Sequence, residues 1–393
     1  MPVYLDHAAT TPVRPEVIEL YAAELAKIGN PSSVHSFGQE ARTVVEEARE
    51  ELARAVVANR SEIVFTSGGT EADNWAIKGL FWQRNQEDTQ RVEILSALTE
   101  HHAVIDTIEW LEKNQGAKPV WIPVGHDGMV DRKWLETYLA ENHERVALIT
   151  LMWVNNETGV TTDIQAITRL AKPFKIPVHS DAVAALGHIP ITFAASGLAC
   201  MSITGHKVGA PVGTGALVVS RDTKIDSLFH GGGQERGIRS GTLNAAGALA
   251  FARAATMSVR ELVPMLNQWA VFKRRILAFL DEHPELGATV TGSLEHRTPN
   301  NLHLVFEGCA GDSLLYVMDS AGVSVSNGSA CTAGVASASH VLLATGYDEE
   351  HASGGVRVTF GYNTTLEDVE AFLAVLPRAV ESARKAGFVH AHE

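Results

Sequence analysis

The sequence predicts an α/β fold, with a large domain built on a mainly parallel sheet in an α/β/α sandwich and a smaller α+β domain at the C-terminal end. Three observations predict it. Through the middle of the chain, short apolar runs alternate with amphipathic helical patterns, as a parallel sheet covered by helices requires. Several of those runs end in polar residues, notably Asp181 and Thr204 to Lys207, which gathers chemistry at one edge of the sheet. From about Ala245 the pattern turns predominantly helical, with two strand-like runs beyond it.

The elements follow in order. Turn signals at Asn30-Pro31-Ser32-Ser33 precede a helix whose apolar stripe is Val44, Val45, Ala48, Leu52 and Val56, a pattern that serves core packing. Strands are expected over 63–66, 92–97, 119–123, 146–154, 176–179, 199–203 and 215–219. Residues 251–280 read as one long connecting helix with a break or kink near Pro264. Beyond it, strands are expected at 301–306 and 356–360. A last helix opens at Thr365 with Asp368 as its box partner and a stripe of Leu366, Val369, Phe372, Leu373 and Leu376. This divides the chain into an N-terminal segment, 1–15, packing with the small domain, a large domain, 16–255, and a small domain, 256–393.

Composition sets outer bounds. With 393 residues, 45% hydrophobic and 20% charged, the chain can bury a large core and divide into two domains. Its net charge of -14 disfavours nucleic acid and anionic membranes as partners. No apolar stretch approaches the roughly 20 residues of a membrane span, and the first residues lack the basic and apolar regions of a signal peptide, so a cytoplasmic protein is expected. Three cysteines, Cys200, Cys309 and Cys331, make no disulfide framework, and no Cys/His spacing suits a structural metal.

Lys207, in Thr204-Gly205-His206-Lys207, is the residue to explain first. Taken alone, a lysine at a strand end reads as a surface residue. Asp181 at the end of a neighbouring run changes that, because a carboxylate there can pair with a pyridinium nitrogen while the lysine holds pyridoxal phosphate as a Schiff base. Ser67-Gly68-Gly69-Thr70, between a strand and a helical pattern through Trp75, Ile77 and Leu80, supplies backbone N–H groups and a hydroxyl for a phosphate. His101, just after 92–97, falls at the same sheet edge and can stack on a ring and shuttle protons, or be an ordinary loop histidine. Asn155-Asn156-Glu157-Thr158-Gly159 offers an amide for a ring oxygen, or a plain turn. The run 324–339 is small and polar around one thiol, which suits a loop presenting Cys331 as nucleophile. Cys200 and Cys309 read as buried structural residues.

Taken together, 4–12, Phe65-Thr-Ser-Gly-Gly-Thr-Glu-Ala-Asp-Asn74, Thr99-Glu-His101, Val154-Asn-Asn-Glu157, Gly205-His-Lys207, 230–242 and Gly328-Ser-Ala-Cys331-Thr resemble the cysteine desulfurases, in order from residue 4 to about 376. The cysteine loop resembles the branch serving iron-sulfur cluster assembly. The resemblance implies a fold type I pyridoxal phosphate homodimer that converts L-cysteine to L-alanine and leaves a persulfide on Cys331. It further implies that Lys207 carries the cofactor and moves protons, Asp181 pairs with the pyridine nitrogen, and His101 stacks on the ring and acts in acid-base steps. Asn156 contacts cofactor and substrate. Thr70, Thr204 and His206 hold the phosphate beside Gly69, with Thr242 reaching it from the neighbouring subunit. Arg357 grips the substrate carboxylate, a task suited to a planar two-donor fork. An iron-sulfur scaffold or another protein accepts the sulfur. Competing readings are a selenocysteine lyase or another fold type I lyase, and a binding subunit without activity.

Four departures from the family pattern stand out. Ala184 occupies the place of a glutamine whose amide bonds the ring's phenolic oxygen. Thr204 replaces the commoner serine and keeps the hydroxyl. Ser337-Ala338 stands where proline is common, which predicts a more mobile loop. The chain ends at Glu393 without the longer tail by which some relatives dock a scaffold, so scaffold docking is not implied for it.

Overall fold

The computed structural model describes residues 2–328 and 338–390, without the side chains of 386–390. Seven strands form its main sheet: β2 (Ile63–Thr66), β3 (Glu93–Ser96), β4 (Lys118–Trp121), β5 (Val146–Thr150), β6 (Val178–Asp181), β7 (Cys200–Thr204) and β8 (Gly215–Val219), in the order β2-β8-β7-β6-β5-β3-β4. Pairing is parallel from β7 through to β4, and antiparallel where β8 meets β7 and β2. The sheet is buried on both faces because successive side chains alternate. Ile63, Phe65, Ile149, Met201 and Ile203 join one core, while Val64, Leu148, Cys200 and Leu217 join another on the opposite face.

The second of those cores is closed by helices α3 (Gly69–Glu87) and α4 (His102–Gln115). Trp75, Ile77 and Leu80 are buried there, as their spacing predicted. The opposite face is covered by α2 (Ser36–Ala55), α5 (Arg132–Asn142), α6 (Ile164–Ala171) and the first turns of α8 (Ala245–Glu282). In α2, Val45, Ala48 and Leu52 are buried, and the His35 side chain caps the helix by accepting from the Gly38 N–H. Helices α1 (Pro15–Leu25) and α7 (Phe193–Ser196) complete this part of the chain.

Farther along, β9 (Ala288–Val290), β10 (Asn301–Phe306) and β12 (Gly355–Thr359) form an antiparallel sheet in the order β12-β10-β9. Helices α9 (Gly311–Ser320) and α12 (Leu366–His390) share its core with the later turns of α8 through Leu262, Trp269 and Ile276. Short helices α10 (His340–Ala344) and α11 (Glu349–Ser353) lie between. The box at Thr365 forms: Asp368 accepts from the Thr365 N–H (2.8 Å) and Thr365 Oγ1 from the Asp368 N–H (3.3 Å). The two ends of the chain meet here. Strand β1 (Val3–Tyr4) pairs in parallel with β11 (Val323–Ser324).

Two expectations need correction. The long helix begins at Ala245, where Asn244 caps it, and it runs unbroken through Pro264 to Glu282. An interior proline costs about 3 kcal/mol, but Pro264 is exposed, so the carbonyl it orphans faces water, and the helix is held by apolar cores on both sides of it. The expected strands 146–154 and 176–179 become Val146–Thr150 and Val178–Asp181. Leu151, Met152 and Val154 are buried, and the Leu151 and Trp153 N–H groups still donate to the His179 and Asp181 carbonyls beyond the end of the regular strand, while Pro177 has no N–H to give a ladder.

Candidate active site

A cavity of about 330 Å³ opens at the C-terminal edge of the parallel strands. Lys207, Asp181, His101, Asn156, His206 and Arg357 all line it, together with Gly69 and Thr70. Residues drawn from across the sequence are thus brought together because their strands end at one edge.

Lys207 follows β7 and Asp181 ends β6, and the two strands are adjacent and parallel. Burial pulls the Lys207 ammonium down to about 8, against the opposing charge of Asp181. Asp181 is itself buried and accepts from the Val183 N–H at 2.8 Å. Its position is further fixed by the Trp153 N–H, which donates to the Asp181 carbonyl at 2.8 Å. His101 caps α4: its Nδ1 accepts from the Ala103 N–H at 3.1 Å, which leaves Nε2 as the N–H in the neutral ring. Burial lowers the His101 pKa, with Asp181 opposing, so the ring is neutral at physiological pH.

The positive end of α3 faces the cavity through Gly69 and Thr70. A Cβ at 69 would sit 2.6 Å from Val183 Cγ2, so a larger residue there requires Val183 to move. The Ser67 N–H is not free for a ligand; it donates to Glu71 Oε2 at 2.8 Å, and Arg239 holds Glu71 in turn at 2.8 Å. His206 lies beside Thr10, and burial, then the Lys207 charge, pulls its pKa to about 4.

Arg357 on β12 supplies the cationic end. Its Nη2 bonds Asp6 Oδ1 at 2.8 Å and its Nη1 donates to the Asn156 carbonyl at 3.0 Å, while its buried Nε has no partner. Asn155 is the turn residue of its pair: its Oδ1 accepts from the Glu157 and Thr158 N–H groups, and its amide donates to the Thr99 carbonyl. Asn156 is the one whose side chain is left to the cavity.

Two predicted residues stand apart from the cavity wall. The Thr204 hydroxyl is buried and donates to the Thr214 carbonyl at 3.1 Å. Thr242 lines a different pocket, with Thr66, Ser67 and Arg239. Cys331 lies outside the described residues, as does Ser337. Ala184 lines the cavity, so the place of the family glutamine is on its wall. Cys200 and Cys309 are buried, as expected.

Sequence reasoning missed Asp6, Asp73, Glu157 and His340 as members of this site. Glu157 is buried on the cavity wall, accepts the Ser339 hydroxyl, and has its carboxyl pushed up by burial. His340 Nε2 meets the Glu100 carbonyl at 2.8 Å. Asp73 had a readable signal, a charged residue one helical turn after Thr70 amid Ala72, Trp75 and Ala76. Among the described residues no group of three or more ligands is placed to hold a metal, and no helix is long and apolar enough to cross a membrane.

The chain was compared with known proteins. The aminotransferase class-V family model matches residues 3–372. An IscS-like cysteine desulfurase of Mycobacterium tuberculosis is 45% identical over 99% of this chain and 98% of its own. The cysteine desulfurase IscS of Dictyoglomus turgidum is 40% identical over 97% and 95%. A solved NifS-like protein superposes with a TM-score of 0.88 at 32% identity, covering 97% of this chain and all of its own. From the full-length match in sequence and fold, the chain belongs to the class V aminotransferase family, among its cysteine desulfurases.

Proposed function

We propose that this protein uses pyridoxal phosphate to take sulfur from L-cysteine, with Lys207, Asp181 and Arg357 placed around the cofactor and substrate and Cys331 receiving the sulfur. The observation that carries the reading is the convergence of a lysine with lowered pKa, a buried carboxylate and a half-free guanidinium on one cavity. The donor set fits the cofactor: an amine for the aldehyde, an acid for the ring nitrogen, the α3 N-terminus with His206 for the phosphate, and a glycine that lets the helix abut Val183. When bound, the cofactor supplies an electron sink for the breaking C–S bond.

The protein's own residues do the rest. The Lys207 amine, part neutral near its pKa of about 8, would hold the cofactor at its aldehyde and, once free, carry a proton at Nζ. Asp181, held by the Val183 N–H, keeps the ring nitrogen protonated. His101 faces the cavity and exchanges protons with the reacting groups. Arg357 orients the substrate carboxylate, itself held by Asp6 and Asn156. Sulfur then passes to the Cys331 thiol, so that L-cysteine and a thiol become L-alanine and a persulfide.

The reading extends to a homodimer in which Thr242 serves the neighbouring subunit, to cytoplasmic location, and to a scaffold or other acceptor protein. It also divides the chain at 255/256, supported by α8, whose residues through Ala255 join one core and those from Leu262 another. The test is to add L-cysteine and a reductant to the loaded protein and measure alanine and sulfide together, beside Cys331→Ala and Lys207→Ala. Equal yields lost in both variants support the reading. Bound cofactor with no alanine overturns it, and turnover surviving Cys331→Ala points to a lyase.

A further inference from the structure

Beneath the cavity lies a polar cluster that the reaction above leaves unused. Asp73 on α3 lines the cavity floor beside Asp181 and is 1% exposed. Its Oδ1 is buried without a hydrogen-bond partner and lies 3.6 Å from His179 Nε2. His179 precedes Asp181 by two residues on β6, so both point to one face. The His179 ring is pinned at each nitrogen, Nδ1 to Thr150 Oγ1 and Nε2 to Ser202 Oγ, both at 2.9 Å. The titratable groups facing Asp73 are Asp181 and His179 from β6, Glu100 after β3, and Lys207 after β7.

We propose that Asp73 is a positioning residue: braced by His179 and Ser202, it keeps its proton and leaves Asp181 as the single anion facing the cofactor's ring nitrogen. This rests on the pyridoxal phosphate reading. Two neighbouring carboxyls in a low-dielectric site cannot both ionise. Asp181 has the Val183 N–H to solvate a negative charge, whereas Asp73 Oδ1 has no hydrogen-bond partner and the Ser202 hydroxyl only partly offsets the burial of its carboxyl. Burial, then the Asp181 charge, pushes the Asp73 carboxyl well above the usual carboxylate range. Burial also holds His179 neutral, with a pKa of about 3, so it takes no proton from Asp73.

The test is the pH titration of the absorption of bound pyridoxal phosphate in the holoenzyme. Asp73→Asn keeps a neutral donor of the same shape and is expected to titrate within about 0.3 pH unit of wild type. Asp73→Ala removes the neutral side chain that fills the floor beside Asp181, leaves Asp181 less well placed against the ring nitrogen and so weakens the ring's pull on the Lys207 nitrogen; its titration is expected to rise by about one unit, tenfold in the equilibrium. An Asn variant shifted as far as the Ala variant overturns the proposal, because the charge and not the proton then matters. So does an Ala variant that titrates as wild type. If Asp73→Ala does not fold, the Asn variant decides alone. Absence of any cofactor band in wild type, by contrast, overturns the pyridoxal phosphate reading itself.

Discussion

Asp6 Oδ1 lies 2.8 Å from Arg357 Nη2, joining residues 351 positions apart at the cavity wall. The guanidinium is 5% exposed and the carboxylate 20%. Asp6→Asn strips a nearly buried cation of its counter-charge, leaving the Asn156 carbonyl. We expect a loss of about 1–3 kcal/mol, read from the denaturant midpoint of the cofactor-free protein. An unchanged midpoint overturns this.

Arg357→Lys keeps the charge and loses the fork. A point ammonium cannot serve Asp6, Asn156 and a substrate carboxylate at once. The Michaelis constant for L-cysteine is expected to rise at least about tenfold with a smaller change in kcat, and steady-state kinetics will tell. An equal fall in kcat with unchanged KM contradicts the assignment.

Cofactor capture is expected to follow the Lys207 amine. Only the free base attacks an aldehyde, and burial sets its pKa at about 8. The rate of absorbance change on mixing cofactor-free protein with pyridoxal phosphate is expected to climb about tenfold per pH unit below 8 and level off above it. A flat profile from pH 6 to 9 contradicts this.

Ala184 lines the cavity beside Val183, where a longer side chain reaches its interior. Ala184→Gln adds one hydrogen bond to the ring oxygen, worth about 1 kcal/mol, or about fivefold in cofactor dissociation constant. Equilibrium dialysis measures it; weaker binding excludes that role for the position.

Acid is expected to destabilise the fold before it affects the carboxylates. Burial depresses His179 and His303 to about 3 and His7 and His188 to about 4. The unfolded chain therefore binds more protons than the folded one between 6.5 and those values, and stability, complete above 6.5, falls as pH drops through that window. Each such histidine costs about 1.4 kcal/mol per pH unit. Melting temperatures from pH 8 to 4.5 test this, and a constant value refutes it.

Much of this was legible in the sequence. Strands at 63–66, 215–219 and 301–306 have the bounds that their apolar runs gave. Lys207, Asp181 and His101 fall on one cavity because strand ends of a parallel sheet share an edge. Less visible were β1, β9 and β11, which are two or three residues long; β1 and β11 exist only through each other, some 320 positions apart. Asp6 was hidden for the same reason. No local pattern ties it to Arg357, and the contact arises only when the chain ends are knitted together. Glu157 was masked by a turn context that explained it without chemistry, and His340 by the lack of any local pattern tying it to the strand ends.

The pairing of β1 with β11 fixes the order in which a growing chain can become competent. Synthesis delivers residues 3 and 4 first, yet their partners, Val323 and Ser324, emerge only late. The seven-stranded sheet ends at Val219 and can fold while the chain is still on the ribosome. Such a chain already carries Lys207 and Asp181 and still lacks Arg357, which completes the cavity wall. Completion of the cavity is thereby deferred until β11 and β12 have been made, when an early strand finds its late partner.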